Sequence, residues 1–187
     1  MAAIIRDLKK GDIPAVKDFT DHSIGKGYFT LDEVQDLYQR SMKDGIMCSQ
    51  VLIEDGKILG VRITLPPGHW QSGKGQGLNE AKWAHPKKDT AYFQSLFIDL
   101  QHTGQGWGKK LSLRSIDRLK ELGALGVLCH SWKESPHNSS RRYLESIGFR
   151  WIADHPMYWH EVNYQCTRCG QPCVCTAQEM YLDISSL

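Results

Sequence analysis

Apolar positions along the chain change period several times, and each change marks an element. Residues 3–8 (Ala-Ile-Ile-Arg-Asp-Leu) read as a short opening strand, after which Asp12 as N-cap and Pro14 in the first turn predict a helix to about His22. A glycine-containing break, Ile24 to Tyr28, comes next. Thr30 then caps a second helix from Leu31 to about Lys43, with Leu31, Val34, Leu37 and Tyr38 on one face. Ser49–Glu54 and Lys57–Leu65 are β-rich runs joined by Asp55-Gly56, a strong hairpin signal. Further on, Tyr92–Leu100 reads as a strand and Gly104–Leu122 as a helix, with Leu111, Ile116, Leu119 and Leu122 at helical spacing and Gly123 as its stop. Gly126–Trp132 is a strand, Asn138–Ser146 a short helix ending at Gly148, and Phe149–Asp154 and Met180–Ile184 close the chain as strands. The order β-α-α-β-β-β-α-β-α-β-β predicts an α/β (α+β) fold, largely antiparallel in its front half, with a crossover at the centre.

Residues 66–91 have little periodicity and carry Gly73, Gly75 and Gly77. A connection this long is a functional segment or a disordered one. His69, Trp70, Trp83 and His85 argue against a bare linker and leave two readings, a substrate-shaping flap or a surface loop packed by its own aromatics.

Composition changes the picture mainly by exclusion. With 23 Lys+Arg against 21 Asp+Glu, the net charge of +2 creates no strong field for nucleic acid or an anionic membrane. At 187 residues, with 41% hydrophobic and 24% charged, the chain suits one domain, 1–187, with a sizeable core. The charged opening Met1 to Lys10 is unlike an export signal, and no run reaches a membrane span, so the expected location is cytoplasmic.

Six cysteines are unevenly placed: Cys48 and Cys129 sit alone in apolar runs, while Cys166, Cys169, Cys173 and Cys175 crowd into ten residues. Cys-x-x-Cys-Gly followed by Cys-x-Cys offers the four thiolates of a closed tetrahedral zinc site. An iron–sulfur cluster or local disulfides are the alternatives, and His155 or His160 is a candidate replacement ligand. A knuckle at about 160–178, before the last strand, would staple its loop, since metal-binding free energy becomes folding free energy. That loop is also a candidate contact for substrate or a second subunit, so a homodimer is among the assemblies allowed.

The most informative segment runs from Phe97 to Lys109, where Gly104, Gly106 and Gly108 alternate as a strand becomes a helix. Residues without Cβ let backbone N–H groups approach an anion, and the helix N-terminus adds free donors. The dinucleotide and phosphate-loop fingerprints both fail on spacing. What remains, Gln101-His102-Thr103-Gly104-Gln105-Gly106 with the downstream Ser146-Ile147-Gly148-Phe149, resembles the GNAT superfamily of acyl-coenzyme-A-dependent N-acetyltransferases, and the element order fits from Ala3 to Ile184.

The resemblance implies a mixed, mostly antiparallel sheet of about seven strands flanked by helices. It implies that acetyl-CoA is the co-substrate, its pantetheine arm bonded to the backbone of Leu96, Phe97 and Ile98 and its diphosphate held on the amides of His102, Thr103, Gly104, Gln105, Gly106, Trp107, Gly108 and Lys109. An amine would then attack the thioester directly. The family's strand carboxylate is missing from Tyr92 to Ile98, which leaves the base unassigned: Glu80, His85, Asp89 and His130 are each either a base acting through water or a surface or packing residue. The family's thiolate donor is a fourth-helix tyrosine seven residues beyond an asparagine and four before the glycine of Gly-Phe, a count that lands on Leu144 and His137. A one-residue shift makes Asn138 and Tyr143 that pair, Asn138 at the coenzyme and Tyr143 as the thiolate donor; otherwise Tyr143 only packs. Two other classes stay open: an acyl-CoA sensor without turnover, and a zinc-containing nucleic-acid or protein interaction module built on Arg141-Arg142, Lys87-Lys88 and the knuckle.

Overall fold

The structure, a computed structural model, describes residues 2–74 and 77–187; Gly75, within the long connection, lies outside the described residues. Strand β1 (Ile4–Asp7) is followed by helices α1 (Ile13–Ser23) and α2 (Leu31–Arg40). Thr30 and Glu33 close α2 reciprocally, the Thr30 hydroxyl accepting from the Glu33 amide at 3.1 Å and the Glu33 carboxylate accepting from the Thr30 amide at 2.8 Å. The helix stops at Arg40 rather than Lys43 because residues 42–47 fold back as a small hairpin, β2 (Met42–Lys43) with β3 (Ile46–Met47). Its turn is Asp44-Gly45, both at positive φ (50° and 78°), the same chemistry as Asp55-Gly56.

Strands β4 (Gln50–Glu54), β5 (Lys57–Leu65) and β6 (Thr90–Ile98) form an antiparallel meander. Helix α3 (Trp107–Glu121) crosses over to β7 (Gly126–Trp132), which pairs with β6 in parallel. Helix α4 (Ser139–Glu145) leads to β8 (Arg150–His155), and β9 (Ala177–Asp183) inserts between β7 and β8. The sheet order is β1-β4-β5-β6-β7-β9-β8, seven strands and mostly antiparallel as expected. Strand β9 starts three residues before the expected Met180, since Ala177-Gln178-Glu179 pairs with Trp132-Ser131-His130 despite its polar side chains.

Period-two alternation divides the core between the two faces of the sheet. Tyr92, Leu128 and Tyr181 pack with α1, α2, the long connection and the cysteine segment. Their neighbours Phe93, Val127, Cys129, Met180 and Leu182 pack with Ile116 and Leu119 of α3 and Leu144 of α4. Cys48 and Cys129 belong to this second core, where burial pushes their thiols up to about 12 and about 11.

The described residues of the connection 66–91 pack as a flap, not a linker. Trp70 stacks on Tyr92 with ring centres 5.0 Å apart and donates its indole N–H to the Thr90 carbonyl at 2.8 Å. Trp83 stacks on Tyr181 at 5.7 Å. The anchor is Glu179, fully buried, which accepts from the Asn79 amide (2.9 Å), the Asn79 side chain (2.7 Å), the Trp83 indole (2.7 Å) and His155 (2.8 Å). Burial raises the carboxyl's pKa, yet these donors hold it below its ordinary value.

Candidate active site

The site begins where β6 and β7 part company. Their ladder covers only Thr90–Phe93 against Gly126–Cys129. Beyond it β7 continues against β9 and β6 against β5, where Arg62 faces Leu96 and Gly60 faces Ile98. The split coincides with a bulge: Ile63 pairs with Ser95 and Thr64 with Phe93, leaving Gln94 unmatched. From Gln94 to Ile98 the β6 edge turned away from β5 therefore has no strand partner, and it borders a cavity of about 600 Å³. Backbone groups on such an edge invite an extended ligand to complete the ladder.

The far end of the cavity is the glycine turn. Asp99 ends the strand and accepts from the Gln101 amide (3.0 Å) and the His102 ring (2.8 Å), folding residues 100–102 into a single 3-10 turn. Gly104 and Gly106 follow in the left-handed region, at φ 75° and 79°, so α3 begins at Trp107 and not at Gly104. A Cβ at either would meet open space, which makes their glycine requirement conformational. Gly108 differs, since a Cβ there would lie 3.1 Å from Leu96 Cδ2, a tight contact that the leucine side chain would have to yield to. No side chain caps α3 and no acid sits in its first turn, and Gly106, Trp107, Gly108 and Lys109 at this helix start, with its positive dipole end, line the cavity.

Of the expected coenzyme residues, Leu96, Phe97, Ile98, His102, Thr103, Gly104, Gly106, Trp107, Gly108 and Lys109 line the cavity. Gln105 does not; its side chain stays on the turn, accepting from the Trp107 indole at 3.3 Å. Asn138 does not either: it precedes α4 in a left-handed conformation, φ 51°, with its amide bonded to the Ser135 carbonyl at 2.7 Å. Tyr143 and Leu144 both border the cavity and the α4 core; of the two, only Tyr143 brings a polar atom, its hydroxyl.

The pattern reading missed Arg62. Only 1% exposed in the middle of β5, it donates to the Tyr143 hydroxyl and to Ser112 Oγ (3.1 Å) and lies 4.1 Å from the Phe93 ring centre. A charge in the apolar run Ile58 to Leu65 was the available signal. Since a guanidinium only donates, the Tyr143 oxygen is the acceptor from Arg62, and the hydroxyl also has Ser112 as a hydrogen-bond neighbour. Burial pushes the Tyr143 phenol up to about 12, with Arg62 pulling the other way. Arg62 Nε, Ser95 Oγ and Ser131 Oγ are buried without a partner, and all three residues line the cavity, the pattern expected of a wall shaped for a polar ligand.

Among the base candidates only His130 reaches the wall; Glu80, His85 and Asp89 do not line it, and His85 pairs with Asp183 at 3.0 Å. Both His130 nitrogens are engaged, Nδ1 with the Tyr92 hydroxyl (2.9 Å) and Nε2 with the Gly77 carbonyl (2.7 Å). Burial lowers it to about 4, so the ring is neutral at neutral pH. No aspartate or glutamate lines the cavity among the described residues.

The four clustered cysteine sulfurs lie within 4.8 Å of one another, with Cys169 at 3.7 Å from both Cys173 and Cys175. A tetrahedron with metal–sulfur bonds of ~2.3 Å has edges of ~3.8 Å, so the set matches a single ion. None of the six cysteines is in a disulfide. A bridge joins Cys166 and Gly170 through both backbone bonds (3.1 and 3.0 Å), and the Val174 amide donates to Cys169 Sγ at 3.4 Å. His155 and His160 bond to Glu179 and Glu161 instead. The basic pairs of the interaction-module reading are scattered: Arg141 binds Glu145 on α4, and Lys87 lies over Trp70 on the opposite face.

A profile of the Acetyltransferase (GNAT) family matches residues 17–149. The chain belongs to the GNAT acetyltransferase family. Its fold is shared with the ribosomal-protein-S18-alanine N-acetyltransferase of Escherichia coli (17% identity, TM-score 0.67, 100% of this chain and 96% of that one). It is also similar to yncA of Salmonella typhimurium, solved with its cofactor acetyl-CoA (19%, 0.70, 100% and 96%). A third similar structure is the IAA acetyltransferase of Bacillus cereus (17%, 0.66, 98% and 100%). No curated protein sequence matches the chain. Family and fold together support acyl transfer from acetyl-CoA. No helix among the described residues is long and apolar enough to cross a membrane.

Proposed function

We propose that the protein moves the acetyl group of acetyl-CoA onto a primary amine by direct attack. The observation that carries this is one cavity with a freed strand edge along Gln94–Ile98 and a left-handed glycine turn at its mouth. In this reading the pantetheine arm completes the sheet along Leu96, Phe97 and Ile98, and the diphosphate rests on the backbone between His102 and Lys109. The side chains of Gln105 and Lys109 are secondary. The amine lone pair forms the new N–C bond, and the C–S bond breaks with its electron pair on sulfur. Tyr143, still protonated at neutral pH, donates a hydrogen bond to that sulfur, with the Arg62 charge behind it. The proton shed by nitrogen passes to water, and the thiolate takes its proton from solvent.

The same reading gives the whole chain, 1–187, as one acetyltransferase domain, with the knuckle stapling the loop before β9. Cys166, Cys169, Cys173 and Cys175 would hold one zinc ion, which, fully ligated by protein, supplies cross-linking and no chemistry. A thiolate metal site beside two further unpaired cysteines, Cys48 and Cys129, suits a reducing compartment such as the cytoplasm. Calorimetry with acetyl-CoA, followed by thiol release against a panel of amines, tests the assignment. Saturable binding with turnover is expected. Binding without turnover would leave a sensor, and absence of binding would end the coenzyme reading.

A further inference from the structure

A second hollow, of about 90 Å³, opens off the coenzyme cavity, sharing Ser23, Tyr28, Phe97, Trp132 and Trp159 with it. Ile24, Tyr164, Cys166 and Thr167 complete its lining, so five of its walls are aromatic and none is an acidic or basic side chain, the Cys166 sulfur belonging to the metal cluster. We propose that this slot holds the acceptor's carbon skeleton and selects a primary amine ending in a ring-sized apolar group. The inference rests on the acetyl-transfer reading and names the substrate class for it.

The slot is built by the cysteine segment. Tyr164 donates its hydroxyl to Cys173 Sγ at 3.2 Å, and the Trp132 indole donates to the sulfur of Cys175. Two aromatic walls therefore hang on the sulfur cluster. From the other side, the turn after α1 abuts the same segment: a Cβ on Gly25, at φ 146°, would lie 2.0 Å from the Gln165 carbonyl oxygen. Tyr28 meets Tyr164 edge to face at 5.0 Å and accepts from the Trp159 indole, which locks the ring set. The knuckle thus has a use beyond bracing its own loop.

Chemistry narrows the occupant further. A polyamine or a basic side chain carries a second ammonium, which needs a carboxylate where water is excluded, and neither lining has one among the described residues. An apolar ring gains by leaving water for this slot. The amine nitrogen then lies toward the shared residues, on the side of the thioester.

The test uses the purified, metal-loaded protein saturated with coenzyme A, which cannot turn over, and measures amine binding by calorimetry. Phenethylamine and a short peptide with amino-terminal phenylalanine are compared with spermidine and propylamine; the first two distinguish a free amine from a chain terminus as the source. At least one aromatic probe is expected to bind about 10- to 100-fold more tightly than spermidine or propylamine. Thr167 is exposed and lines only the slot, so Thr167→Trp plugs it without loading the core. That variant is expected to lose the aromatic probe at least tenfold while holding coenzyme A. Equal affinity for all probes, or an aromatic probe indifferent to Thr167→Trp, overturns the inference alone. Failure of coenzyme A to bind overturns the acetyl-transfer reading and this one with it.

Discussion

The two ends of the cavity are built from different materials. At the coenzyme end the surface is peptide backbone: an unpaired strand edge after Gln94 and the turn around Gly104 and Gly106. At the other end it is side chain: Tyr28, Phe97, Trp132, Trp159 and Tyr164, two of them bonded to cysteine sulfurs. Backbone donors suit a ligand that never changes, and their geometry is set by glycine and register. Aromatic walls suit an apolar partner, because rings offer contact area in place of directed bonds.

The sharpest way to break this contrast is Gly106→Val. A branched residue at φ 79° carries strain of ~1–3 kcal/mol, relieved only by leaving the left-handed region, and each charge-assisted bond lost is ~1.5–3 kcal/mol. Acetyl-CoA affinity is expected to fall about 100-fold by calorimetry, while the slot keeps its shape. Tyr143→Phe comes next: kcat falls about 10- to 100-fold with the KM for acetyl-CoA within about twofold, since the hydroxyl acts on the departing sulfur. Because that phenol lies near 12, it stays protonated across the working range and imposes no alkaline decline on kcat.

Chelation, or Cys173→Ser, acts on the other end. The acceptor KM is expected to rise about tenfold and Tm to fall by about 6–12 °C, the shift for ~3 kcal/mol in a chain of this size, with acetyl-CoA binding retained. Glu179→Gln loosens the flap. Replacing the charged acceptor of four bonds costs about 2 kcal/mol near neutral pH by denaturant titration. With its folded pKa below the unfolded value, Glu179 contributes stability that is complete above the ordinary glutamate range and lost as pH falls through the folded value. The variant should therefore show a flatter acid limb. The smallest effect is expected for Lys109→Ala, less than about threefold in acetyl-CoA affinity, because an exposed lysine adds little to a backbone cradle.

This division of materials also explains what could be read from the residues alone. The element order, the central crossover and the glycine turn were legible, since each is written in local chemistry: period, Asp-Gly dipeptides, glycines at fixed spacing. The four-sulfur cluster was legible for the same reason, its ligands falling within ten residues. Distant partners were not. Arg62 meets Tyr143 across 81 positions, and Glu179 receives Asn79 across 100, and no local pattern announces either pair. Asp44-Gly45 was readable but masked by the helical spacing that runs into it, so α2 looked three residues too long. The aromatic slot joins five rings from α1's following turn, β6, β7 and the knuckle, which only the folded sheet brings together.

A crystal structure with acetyl-CoA tests the central claim most directly. The expected density puts the diphosphate within hydrogen-bonding distance of the amides between His102 and Lys109 and the pantetheine arm alongside Leu96 to Ile98. A thioester lodged elsewhere, with the turn bare or closed over, would contradict the account.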